Sequence, residues 1–86
     1  MSRQVPTVSG KPESAMRSAP FVRGFKEARA GKPLNYEAFP YTGDQWQYER
    51  GRHFALIFNG ALKDGARLTY DARRAFHNAL RERAII

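Results

Sequence analysis

PYTGDQWQYERGRHF, residues 40–54, is the stretch on which the fold turns. It gathers Tyr41, Trp46, Tyr48 and Phe54 with Arg50, Arg52 and His53, and it carries glycines at 43 and 51. An ordinary amphipathic helix keeps its aromatics on one stripe and its cations on the other face. Here two arginines flank a glycine beside the aromatic run. Thr42-Gly43-Asp44-Gln45 has the T-x-x-Q form of a capping box, which places a helix start at Thr42. From Gly51 the positions Phe54, Ala55, Phe58, Ala61 and Leu62 keep one helical face, so the helix is expected to run to Leu62, with a strand over FALIF as the competing reading. Leu56 and Ile57 add apolar surface outside that face, which makes this helix the central one. Gly51 lets another backbone come close.

Upstream, Ser18 followed by Pro20 marks a helix start, because serine caps free N–H groups and proline suits a first turn that lacks acceptors. Phe21, Val22, Phe25 and Ala28 form its apolar face, while Arg23, Lys26 and Arg29 step around the other side. Gly31 and Pro33 stop it. Residues 31–42 hold two prolines and no sustained period, so they form a connector pinned by Tyr36, Phe39 and Tyr41. Downstream, Lys63-Asp64-Gly65 reads as a turn, and Thr69 caps a last helix with Asp71 in its first turn. Ala72, Ala75, Phe76, Ala79 and Leu80 make its stripe. Arg73, Arg74, His77 and Arg81 line the opposite side as a secondary basic face.

Residues 1–17 mix Ser, Pro, Gly and charge without an apolar period, so they read as a disordered basic arm whose removal leaves the fold intact. The expected architecture is all-α: a small bundle of three helices in one domain, residues 18–86, behind that arm.

The 86 residues leave no room for a large enclosed active site. With no cysteine, there are no disulfides, thiolate metal sites or thiol nucleophiles, and a reducing, cytoplasmic setting is expected. No window approaches the ~20 apolar residues of a membrane span, and the N-terminus lacks a signal-peptide core. Gly10-Lys11-Pro12 and Gly31-Lys32-Pro33 fail the phosphate-loop pattern, since each puts proline where the hydroxyl residue belongs. His53 and His77 have no carboxylate at ligand spacing, so neither metal nor cofactor is expected. An enzyme is not expected either.

The formal charge of +7, carried largely by arginine, points to an anionic partner. Only residues 34–49, with Glu37, Asp44 and Glu49 and no Lys or Arg, are acidic. Cations interleaved with aromatics suit RNA, whose unstacked bases lie on rings while cations hold phosphates. Tyr41, Trp46 and Tyr48 are candidate stacking platforms. Arg23, Lys26, Arg29, Lys32, Arg50, Arg52 and His53 are the candidate contacts, with Arg23, Lys26, Arg50 and Arg52 expected to form one continuous basic surface.

Arg23-Gly24-Phe25, Ala30-Gly31-Lys32, Pro40-Tyr41, an aromatic at Trp46 or Tyr48, and Gly51-Arg52 together resemble the ribosome modulation factor family and its CrpP-like relatives. The resemblance covers residues 18–55 and leaves 56–86 as a C-terminal extension. It implies a compact two-helix unit and, from the founding member, binding near the messenger-RNA path of the small ribosomal subunit. By position it makes Arg23, Lys32, Tyr41 and Arg52 contact or scaffold residues. The chain departs from the pattern in lacking the cysteine before Pro-Tyr and in placing Arg52 where a second tryptophan would stand if Tyr48 is the first.

A non-enzymatic regulator that binds ribosomal RNA or the ribosome is therefore the leading expectation. The alternatives are a host-directed inhibitor that docks on an acidic protein surface, as phage-encoded proteins of this size can be, and a CrpP-like small-molecule-modifying enzyme. A weak homodimer through Leu56, Ile57, Ile85 and Ile86 is also expected.

Overall fold

Two helices cross so closely in this computed structural model, which describes residues 12–84, that their backbones touch. The first of the pair, α2 (Ala19–Arg29), starts as its sequence directs. Ser18 is extended, its Oγ accepts from the Phe21 N–H, and Pro20 occupies the first turn. It ends where Gly31 turns left-handed at φ 76°, with the Gly31 N–H donating to the Ala28 carbonyl and Lys32 N–H to that of Glu27. Those two bonds are the Schellman closure that glycine permits without steric cost.

The second helix of the pair is α3 (Thr42–Ile57). Its N-cap is Tyr41, and no side chain caps it. The capping box expected at Thr42 does not form, because Thr42 is already helical. Gln45 Nε2 reaches the Asn35 carbonyl and Glu49 Oε2 instead of a cap N–H. The helix also ends at Ile57 rather than Leu62, with Phe58 extended at φ −131°, ψ 123°. A long-range contact explains the stop. Arg29 Nη2 donates to the carbonyls of Phe58 and Gly60, at 2.5 and 2.7 Å, and so satisfies two acceptors just beyond the helix end. Phe58 folds its ring parallel to that of Phe54, with centroids 5.1 Å apart.

Beyond this bend the chain forms a hairpin where only a turn was expected, β1 (Lys63–Asp64) paired antiparallel with β2 (Arg67–Leu68) around a left-handed Gly65. Thr69 then caps α4 (Tyr70–Arg81): its Oγ1 accepts from Ala72 N–H and donates to the Ala61 carbonyl. The stripe read for this helix is the one it buries, with Ala72, Phe76 and Ala79 in the core and Ala75 and Leu80 packed against it.

The expected arm is in part a structured element. Residues 1–11 lie outside the described residues, but Pro12–Arg17 form a short helix, α1. Met16 is fully buried in the same core cluster as Phe21, Phe54 and Phe76, and Glu13 meets His77 of α4 at 3.0 Å. One buried apolar residue carries no periodicity, which is why composition alone reads the segment as arm. The described chain is thus mostly helical, with four helices and a two-stranded hairpin in place of three helices.

The α2–α3 crossing is cut by two glycines. A Cβ on Gly24 would overlap the Tyr48 carbonyl and stand 3.1 Å from the Arg52 nitrogen. On Gly51 it would overlap the Phe21 carbonyl and stand 3.0 Å from the Phe21 Cα. Each helix contributes a notch and the other's backbone fills it. That proximity seats Phe54 against Phe21 and Phe25, while Phe76 of α4 meets both Phe21 and Phe54 edge-on, each pair with centroids 5.4 Å apart. Leu56 and Ile57, expected to help make α3 central, are exposed on its last turn.

Candidate nucleic-acid interface

Most of the arginines picked out in the sequence work inside the fold. Glu27 of α2 is the hub. It accepts from Tyr48 Oη at 2.5 Å and from Arg23 Nε at 2.7 Å, with Arg52 Nη1 at 3.9 Å. Tyr48 is fully buried in the crossing, and its hydroxyl also accepts from the Asn35 N–H. Arg52 extends the network by donating from Nη2 to the Lys32 carbonyl at 2.7 Å, which ties the connector back to α3. Only 19% of the Arg52 side chain is exposed. The position matched by family resemblance is therefore a scaffold residue.

Hydrogen bonds from Tyr48 and then Arg23 hold the Glu27 carboxyl below its ordinary value, and the bond from His77 does the same for Glu13. A carboxyl depressed in the folded state stabilises it above the unfolded value, near 4.5. That contribution is lost as pH falls through the lower, folded value. The melting temperature is accordingly expected to drop as pH is taken below about 4.5, and Glu27→Gln should flatten that acid limb. Thermal melts at successive pH values read it directly. An unchanged acid limb in the Glu27→Gln protein would contradict the hub.

Arg50 departs furthest from expectation. Its guanidinium lies over Trp46 at 4.6 Å and over Phe76 of α4 at 5.5 Å, a double cation–π contact between helices. Burial lowers its pKa, and its Nε is buried without a hydrogen-bond partner. Arg50 packs toward α4 while Arg23 and Arg52 converge on Glu27, so the four-residue surface of Arg23, Lys26, Arg50 and Arg52 does not form. Arg29 is spent on the Phe58 and Gly60 carbonyls and on stacking over Phe25. Lys26, Lys32 and His53 are exposed. On α4, His77 pairs with Glu13, Arg81 donates to Asn78, Arg73 is half-buried and Arg74 is exposed.

Two grooves emerge instead. A basic groove of about 450 Å³ is lined by Arg17 of α1, Arg23 and Lys26 of α2, and Lys63 of β1, over a floor that includes Val22. Its one anion, Glu27, is already engaged by Arg23 and Tyr48. Sequence reasoning missed Arg17 and Lys63, since it assigned the first to the arm and the second to a turn. Only the tertiary fold brings these cations together.

An aromatic groove of about 380 Å³ runs along the connector and the start of α3, lined by Tyr36, Phe39, Tyr41, Trp46 and Glu49. Tyr36 is 74% exposed, Tyr41 72% and Trp46 46%, although a core this small has every use for buried rings. Of the three predicted platforms, Tyr41 and Trp46 thus share a surface with Tyr36, whereas Tyr48 is fully buried with its hydroxyl on Glu27 and offers no face for stacking. The two grooves meet at one contact: the Arg23 guanidinium, which lines the first, lies 5.4 Å from the centroid of the Phe39 ring, which lines the second.

This arrangement can hold phosphates on one side and flat rings on the other. Among the described residues no three His, Asp or Glu side chains converge on a common point, and no helix is long and apolar enough to cross a membrane. Compared with family models, curated proteins and solved structures, the chain finds no match.

Proposed function

We propose that the protein is a non-enzymatic regulator that binds single-stranded RNA, with ribosomal RNA on the small subunit as its target. The observation that supports this reading is the pair of adjoining grooves. Four cations drawn from three separate elements flank one trough, and three exposed aromatics flank the next. A strand laid across the Arg23–Phe39 boundary would place phosphates against Arg17, Lys26 and Lys63 and bases against Tyr36, Tyr41 and Trp46. Electrostatic funnel and stacking platform are the two parts from which single-strand binding is built. The resemblance to the ribosome modulation factor family points to the same class of partner.

The test removes equal charge from two places. Arg17, Lys26 and Lys63 changed together to Gln should lower affinity for single-stranded RNA and for purified small subunits by about tenfold or more at low salt. The slope of log affinity on log salt should flatten by ~0.7 for each phosphate that is no longer neutralised. Arg67, Arg74 and Arg81, all exposed and outside the groove, serve as the control triple and should cost much less. Equal losses would indicate diffuse attraction without a site. No loss from either would favour an acidic protein surface as the partner.

A further inference from the structure

The aromatic groove carries a feature that plain stacking does not need. Glu49 lines it beside Trp46 and Tyr41, in the only acidic part of a strongly basic chain. Among the described residues it makes no ion pair; its Oε2 accepts from Gln45 Nε2 at 3.2 Å and its second oxygen has no hydrogen bond. The Gln45 contact joins residues one helical turn apart, both of which line the groove. Arg50, the nearest cation in sequence, is held over the Trp46 ring and bonded to Gln47, so it leaves the carboxylate free. A stacking surface that only gripped a phosphate chain would be weakened by such a charge.

A carboxylate accepts hydrogen bonds and cannot donate them. Among the bases, guanine alone presents two adjacent donors on its Watson–Crick edge, the N1–H and the N2 amino group, which match two carboxylate oxygens side by side. Cytosine and adenine offer one amino group each, next to a ring nitrogen whose lone pair repels the second oxygen. Uracil offers one N–H between two carbonyls. We infer that Glu49 reads a guanine base stacked in the groove against Trp46 and Tyr41, while the neighbouring basic groove holds the phosphates of the same strand. This rests on the RNA-binding reading and adds to it the base selected. The groove's volume lies within the ~300–1,000 Å³ common for ligand clefts, ample for one flat base.

The experiment uses the full chain and short uridine-rich single-stranded RNAs that differ at one central position, which is guanine, inosine, adenine or uridine. Binding is followed by the fluorescence of Trp46, the only tryptophan. Inosine keeps guanine's shape and N1–H but lacks the amino group. The wild-type protein should bind the guanine strand at least about fivefold more tightly than the other three, the low end for a bidentate base contact because this site is open to water. Glu49→Gln should keep its helical content but bind the guanine strand no more tightly than the other three, because an amide presents one acceptor and one donor where guanine needs two acceptors. Equal affinity of the wild type for all four strands overturns the guanine readout and leaves RNA binding standing. A preference that survives in Glu49→Gln also overturns it. Absence of binding to every strand at low salt overturns both readings.

Discussion

Gly51→Ala is expected to remove more than half of the stability of the domain at 25 °C, and Gly24→Ala to do the same. Alanine would ordinarily stabilise a helix interior by ~1 kcal/mol over glycine. Here the added methyl would sit inside the backbone of the opposite helix, at the Phe21 carbonyl for position 51 and at the Tyr48 carbonyl for position 24. A helical carbonyl cannot rotate away like a side chain, so the axes themselves must part. Overpacking typically costs ~1–3 kcal/mol even where side chains can yield, and separating α2 from α3 also loosens Phe54 from Phe21 and Phe25. A net loss of about 3 kcal/mol or more is expected, against a total stability on the order of 5 kcal/mol for a domain of this size. Gly43→Ala is the control. It lies in the same helix, a Cβ there meets nothing within 4 Å, and it should be neutral or slightly stabilising. Urea melts of the three variants decide the matter; similar midpoints for all three would remove the crossing from the account.

Truncating the chain before Ser18 should lower the melting temperature by roughly 10 °C or more, from a loss of about 2–4 kcal/mol. The expectation from composition is the reverse, that residues 1–17 are dispensable. Met16 is fully buried in the core cluster, and deleting it removes that packing. Replacing a buried methionine with alanine costs ~2–5 kcal/mol, so Met16→Ala alone should reproduce most of the effect. Met16→Leu, which conserves volume, should cost less than ~1.5 kcal/mol. The truncation also removes Glu13 from His77 and Arg17 from the basic groove, so RNA affinity should fall with it. A truncated chain with wild-type melting would place Met16 outside the core.

What could be read from the sequence was whatever is decided locally. Ser18 with Pro20, Gly31 and Thr69 each act on N–H and carbonyl groups within a turn of themselves, and the structure uses each as read. The apolar stripe of α4 is likewise a one-dimensional signal. The failures share one physical cause, which is tertiary contact overriding local preference. Arg29 ends α3 from a position 29 residues upstream of Phe58. Asn35 and Glu49 draw Gln45 away from the cap. For the site, Tyr41 and Trp46 were legible as aromatics in a segment without a core period. The basic surface was not, because a guanidinium at the right helical spacing is free to meet phosphate only if nothing in the fold engages it. Glu27 takes Arg23 and approaches Arg52, the carbonyls beyond α3 take Arg29, and Trp46 with Phe76 takes Arg50.

The glycine-notched crossing also has a kinetic consequence. Its two contacts, Gly24 to Tyr48 and Phe21 to Gly51, close a smaller loop than the contact of Phe21 with Phe76 of α4, so they cost less chain entropy to form. Contacts nearer in sequence tend to form first. The α2–α3 hairpin is therefore the natural folding nucleus, with α4 and then α1 docking onto the aromatic surface it presents. Substitutions at Gly24 and Gly51 would slow folding itself, whereas Met16→Ala, on an element that joins last, would chiefly speed unfolding.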